Sequence, residues 1–127
     1  KMKNVYYLGK VEFDVLKAIY AKSFYVISAA LYESSSLTIY EAAAFGKPIL
    51  ASQIPCHIEQ SKGLDIKFFE AENYNKLAKI IEFIMFKENE NDRERIKEKN
   101  LKAIESHSWE FIAKKYIEKF EDIYARK

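Results

Sequence analysis

An α/β fold, with a parallel sheet flanked by helices and a helix-rich carboxyl end, is what this sequence predicts. Three observations predict it. Short apolar runs rich in β-formers alternate with segments of helical periodicity between residues 4 and 86. Such alternation implies parallel strands joined by right-handed crossovers. The run at residues 23–28 is apolar without strict alternation, as suits a strand buried on both faces. Only 3 Gly and 2 Pro occur, too few for an all-β architecture with many tight turns.

The elements follow in order. Asn4-Val5-Tyr6-Tyr7-Leu8-Gly9 predicts a short buried strand ending at a glycine. Residues 12–21 carry Val15, Leu16, Ile19 and Tyr20 on one helical face, with Glu12 and Asp14 near the start, where acids suit the helix dipole. Ser23-Phe24-Tyr25-Val26-Ile27-Ser28 predicts a second strand, and residues 31–36 a loop. A helix is expected over 37–45, ended by Gly46 and blocked by Lys47-Pro48. Ile49-Leu50-Ala51 predicts a third strand and Ile66-Lys67-Phe68-Phe69 a fourth. Between them, Ile54-Pro55 predicts a turn and Ile58-Glu59-Gln60 a single helical turn. Residues 75–86 are helical by the spacing of Leu77, Ile80, Ile81 and Ile84. The charge-dense stretch 87–99 predicts a loop and then a solvated helix reaching Ser106. Residues 109–124 form the clearest amphipathic helix, with Ile112, Tyr116, Phe120, Ile123 and Tyr124 in one stripe.

The 127 residues are the length of one domain. Hydrophobic residues at 49% support a packed core and exclude disorder. With 21 basic and 19 acidic residues the net charge is +2, which gives no concentrated basic surface for nucleic acid. Cys56 is the only cysteine, so no internal disulfide forms, and a small half-buried apolar role is expected of it. No apolar run approaches the ~20 residues that span a membrane. A reducing, cytoplasmic setting is the expectation.

The chemistry concentrates between the second expected strand and the helix that follows. In open α/β sheets, ligands sit at the carboxyl ends of strands, beside helix amino termini whose free N–H groups attract phosphate. Here the chain reads Ala30-Leu31-Tyr32-Glu33-Ser34-Ser35-Ser36-Leu37-Thr38-Ile39-Tyr40-Glu41-Ala42. Three serines at a helix start supply amides, hydroxyls and little bulk. Glu33 and Glu41, with seven residues between them, place two carboxylates at the mouth, suited to accept hydrogen bonds from sugar hydroxyls. By the residues alone, an N-capped helix carrying two surface acids is the favoured reading.

Glu33-x7-Glu41, then Ala42 and Gly46-Lys47-Pro48-Ile49, resembles the donor-site signature of retaining glycosyltransferases of the GT-B fold, which has two Rossmann-like domains. Family 4, glycosyl transferases group 1, is the specific resemblance. Tyr7-Leu8-Gly9, Ser52-Gln53-Ile54-Pro55-Cys56-His57-Ile58-Glu59 and Ser108-Trp109 resemble further landmarks of that family in order and spacing. The likeness covers nearly the whole chain. It implies that residues 1–127 are a single, partial Rossmann-like domain: the carboxyl-terminal, donor-binding part of the enzyme. The first strand or strands, a basic Arg and Lys pair and the amino-terminal acceptor domain are expected upstream of Lys1.

The implied roles follow position by position. Glu41 would bind the ribose hydroxyls of a nucleoside diphosphate sugar. Glu33 would face the transferred sugar in a catalytic role. The amides of Ser34, Ser35, Ser36 and Leu37 would hold donor hydroxyls and diphosphate, with Thr38 a further phosphate ligand. The parent would transfer a hexosyl group, with retention, to a glycan or lipid-linked acceptor, as in polysaccharide biosynthesis, without a metal or other cofactor. It would be at most peripheral on a membrane, and this chain alone would be inactive. Ser35 and Ser36 stand where the family usually has Phe and Gly, which puts the loop shape in question, and Ser28-Ala29 replaces a frequent Pro-Ser. His57 is expected in a loop or at the surface, and His107 in a turn. The alternative function is a non-catalytic binding module, a homodimer joined through the last helix.

Overall fold

Three parallel strands form the sheet of the computed structural model, which describes residues 3–126. They are β1 (Val26–Ser28), β2 (Ile49–Ser52) and β3 (Ile66–Phe69), in the order β1-β2-β3. Ser28 lies opposite Ala51, and Ser52 opposite Phe69, so the strands finish together at one carboxyl edge. Every residue of β2 is buried. Its side chains alternate between faces, as the pleat requires. Ile49 and Ala51 join Ile39, Ala42, Ala43 and Leu64 on one face. Leu50 joins Phe69 and Ile84 on the other. Burying each of Ile49 and Leu50 stabilises the fold by about 1.5–3 kcal/mol.

Helices cover both faces. On one lie α1 (Phe13–Lys22), α2 (Leu37–Ala44) and α5 (Glu90–Ile104), through Leu16, Tyr20, Phe45, Ala103 and Ile104. On the other lies α4 (Tyr74–Lys87), through Leu77, Ile80, Ile81 and Ile84. The short α3 (Pro55–Gln60) follows β2 directly, and Pro55 opens it where a missing N–H costs least. α5 runs into a 3-10 turn, Glu105–His107, and then α6 (Trp109–Ala125). Asn73, Asn89 and Ser108 start α4, α5 and α6 by accepting from the amides of Lys76, Asp92 and Phe111. This is the Rossmann-like α/β architecture that the alternation predicts.

Three expectations need correction. Residues 4–9 form no strand: Asn4 has a left-handed φ of 65°, Val5 to Leu8 are exposed, and no ladder hydrogen bonds hold them. β-rich composition makes a strand only beside an edge to pair with. The second strand is shorter than 23–28, because Ser23 closes α1, its N–H and Oγ bonding the carbonyls of Ile19 and Tyr20. The turn expected at Ile54-Pro55 and the single helical turn after it are one continuous helix, α3. Of the α6 stripe only Ile112 is half-buried; Tyr116, Phe120, Ile123 and Tyr124 are exposed.

Gly46 ends α2 in a left-handed turn, φ +63°, and lets α5 approach closely. A Cβ there would lie 2.7 Å from Lys97 Cγ and 3.2 Å from Leu101 Cγ. Behind it, the fully buried Asn100 of α5 accepts from the Asp65 amide at 2.7 Å and donates to the Lys47 carbonyl at 3.1 Å. These contacts seat α2, and with it the loop ahead of α2, against the sheet edge.

Candidate functional site

The carboxyl edge of the sheet is polar and buried at its centre. Ser28 ends β1, Ser52 ends β2, and both are buried. His57 of α3 stands between them, fully buried. Its Nδ1 lies 2.8 Å from the Ser52 carbonyl oxygen and 3.3 Å from Ser52 Oγ. A carbonyl only accepts, so Nδ1 carries a proton. Nε2 faces Glu33 Oε2 at 3.3 Å and Ser28 Oγ at 3.4 Å. Expected from the sequence in a loop or at the surface, His57 is instead the buried contact beneath Glu33. It is drawn inward because α3 starts at once after β2 and turns this residue over the strand ends.

The loop between β1 and α2 runs over this histidine. Glu33 is its partly exposed acid, with a side-chain exposure of 27%. Ser34 and Ser35 are exposed and Ser36 is buried. Ser36 is the N-cap residue of α2 but makes no side-chain cap bond, and its buried Oγ has no partner in the structure. Its backbone φ is −97°, and neither Ser34 nor Ser35 has a positive φ. The loop therefore needs no glycine at these positions, and the serines fit it without strain.

Gln60, at the end of α3, closes the loop from below. Its Oε1 accepts from the Ser36 amide at 2.8 Å and from the Cys56 thiol at 3.0 Å. Its Nε2 donates to the Ser36 carbonyl at 3.3 Å and to Ser35 Oγ at 3.4 Å. So the Ser36 amide, expected to be open, is satisfied by a side chain. The amides of Leu37 and Thr38, in the first turn of α2, have no intrahelical partner by geometry.

Glu41 lies one turn further along α2 and points to α1. Tyr20 Oη donates to its Oε2 at 2.8 Å. Burial, then the carboxylate beside it, pushes the Tyr20 hydroxyl up to about 12. A groove of about 480 Å³ opens on the opposite flank of Glu41, lined by Leu37, Tyr40, Ala44, Ile104 and Trp109. The structure thus sets Glu33 and Ser34 to Thr38 at the β1-to-α2 junction, and turns Glu41, in the second turn of α2, toward α1. It adds His57, Gln60, Tyr20, Ser28 and Ser52, which the sequence did not single out for this site. Among the described residues, no three His, Cys, Asp or Glu side chains cluster as metal ligands would.

A family model described as glycosyl transferases group 1 matches residues 1–103. The chain belongs to that family. The glycosyl transferases group 1 match takes in α1 to α4, all three strands and nearly all of α5, and so the whole polar edge. No curated protein and no solved structure matches the chain. The family makes this a glycosyltransferase domain, and the site above lies where an α/β sheet of this kind binds its ligand. No helix of the described residues is long and apolar enough to cross a membrane.

Proposed function

We propose that this domain binds the nucleoside diphosphate sugar donor of a retaining, family 4 glycosyltransferase of the GT-B type. One observation supports the proposal: the segment from Glu33 through the serines to Glu41 forms the junction between β1 and α2 at the carboxyl edge of the sheet. In this reading Glu41 takes the ribose hydroxyls and Glu33 the transferred sugar. Amides and hydroxyls of Ser34, Ser35, Leu37 and Thr38 take the diphosphate, aided by the helix dipole, while the Ser36 amide stays on Gln60. Departure of the diphosphate would rest on such preorganised dipoles and on cationic groups of the cleft. No metal is needed in this scheme. A second domain would present the glycan or lipid-linked acceptor, so the chain alone is expected not to transfer sugar.

The test is a titration of isotope-labelled protein with UDP, GDP, ADP and their sugars, followed by amide shifts. One nucleotide should perturb residues 34–38, and Glu41→Ala should remove the effect. If no nucleotide perturbs that loop at millimolar concentration, in this chain or in one extended upstream, the donor-site reading fails.

The exposed stripe on α6 favours a second reading, a non-catalytic module that dimerises through this helix. Sedimentation over a range of concentrations decides it: a strict monomer removes this alternative.

A further inference from the structure

We infer that His57 is a positioning residue for Glu33, holding its carboxylate toward the sugar side of the donor site. The inference rests on the reading of Glu33 as the sugar-facing acid. The geometry leaves the imidazole little choice. Nδ1 is committed to the Ser52 carbonyl at 2.8 Å, which fixes the plane and direction of the ring. Ser52 Oγ bonds the Ala30 carbonyl, so it does not compete as a donor for that nitrogen. Nε2 therefore projects at the loop, with Glu33 Oε2 at 3.3 Å and Ser28 Oγ at 3.4 Å.

A carboxylate has only lone pairs, so Nε2 bonds Glu33 when it carries a proton; without one it accepts from the Ser28 hydroxyl instead. A proton on Nε2 makes the contact with Oε2 a charge-assisted hydrogen bond. With the ring fully buried, the carboxylate is reached from below by a group that water does not screen. The exposed edge of Glu33, the remaining 27%, is then free for a ligand. A short polar relay results: the backbone of β2, the imidazole, the carboxylate and the ligand. Orienting a ligand-binding acid through a rigid partner raises its effectiveness, because less freedom is lost on binding.

Imidazole spectra of the whole chain, labelled with nitrogen-15 at histidine, test the relay without any donor. At one pH, Nδ1 should be protonated in the wild type and in Glu33→Gln. The Nε2 resonance should shift in Glu33→Gln, which replaces the carboxylate oxygen it faces. An unmoved Nε2 overturns the inference while leaving the donor-site reading intact. Two substitutions then separate positioning from folding. His57→Asn keeps an N–H near the Nδ1 place and so the bond to Ser52. His57→Gln keeps one near the Nε2 place and so the bond to Glu33. The carboxyl carbon resonance of Glu33 should shift in His57→Asn and return toward the wild-type value in His57→Gln. The reverse order, or an equal shift in both at equal melting temperature, overturns the inference. With the nucleotide sugar found by titration, His57→Asn should weaken sugar-bearing donor about tenfold, the loss expected for one charge-assisted bond. The bare nucleoside diphosphate should be unaffected; an equal loss on both would count against the relay.

Discussion

Tyr20 and Glu41 join α1 to α2 through a hydrogen bond of 2.8 Å, the hydroxyl donating to Oε2. Tyr20 also stacks on Phe45, ring centroids 5.6 Å apart, so its ring is fixed before its hydroxyl is used. The acid proposed to hold ribose is thereby oriented from the core side. Its other lone pairs remain for a ligand.

The pair has an alkaline signature. The Tyr20 hydroxyl is pushed from 10.0 up to about 12 in the folded chain. Below pH 10 tyrosine is neutral in both states, and the full contribution is present. Above pH 10 the unfolded chain loses the proton first, so stability falls until pH passes about 12. Two pKa units set an upper bound of about 2–3 kcal/mol. Denaturant melts of wild type and Tyr20→Phe across this range should differ in slope, the variant being flatter. Tyr20→Phe should also weaken nucleotide binding through a less ordered Glu41.

Gly46→Ala should destabilise the fold by about 1–3 kcal/mol. Alanine resists the positive φ, and its methyl would press on Lys97 and Leu101. The urea midpoint should fall with the slope unchanged. A midpoint equal to wild type would show that α5 yields freely.

Asn100→Leu keeps the bulk but leaves the Asp65 amide and the Lys47 carbonyl without their partner. Orphaning these two groups should cost about 2–4 kcal/mol. Loss of protection at the Asp65 amide in hydrogen exchange would identify the cause.

Gln60→Glu separates loop stability from diphosphate binding. A carboxylate keeps the bond from the Ser36 amide and suits the helix dipole but loses the donor to the Ser36 carbonyl, so Tm should fall by several degrees without loss of the fold. The same negative charge should repel a diphosphate and weaken nucleotide affinity about tenfold. Unchanged affinity would place the phosphates away from the Ser36 amide.

Legibility followed the range of the forces involved. Gly46-Lys47-Pro48 fixes the end of α2 within a few residues, and the 3.6 periodicity of Leu77, Ile80, Ile81 and Ile84 marks α4. The family resemblance of the segment from Glu33 to Glu41 was legible too, and the structure places it at a strand-to-helix junction. What needs a partner distant in sequence was not. Residues 4–9 have the composition of a strand but no edge to join. His57 carries no local sign of burial; only the return of α3 over two strand ends sets it under Glu33, 24 residues away. Tyr20 was read as a core residue, correctly, but its hydroxyl meets an acid 21 residues on. The aromatics of α6 have a core-like period without a core beneath them, since period reports a face and not what covers it.

β2 is the one strand buried along its whole length, paired on both sides and covered on both faces. Local opening free energy should therefore grade steeply through the molecule, from α6 at the shallow end to β2 at the deep end. Ser52, the last rung of that strand, anchors the His57 ring. The acid proposed to face the ligand is thus tied to the strand expected to exchange slowest among the described residues, so Glu33 should keep its place while the exposed Ser34 and Ser35 move.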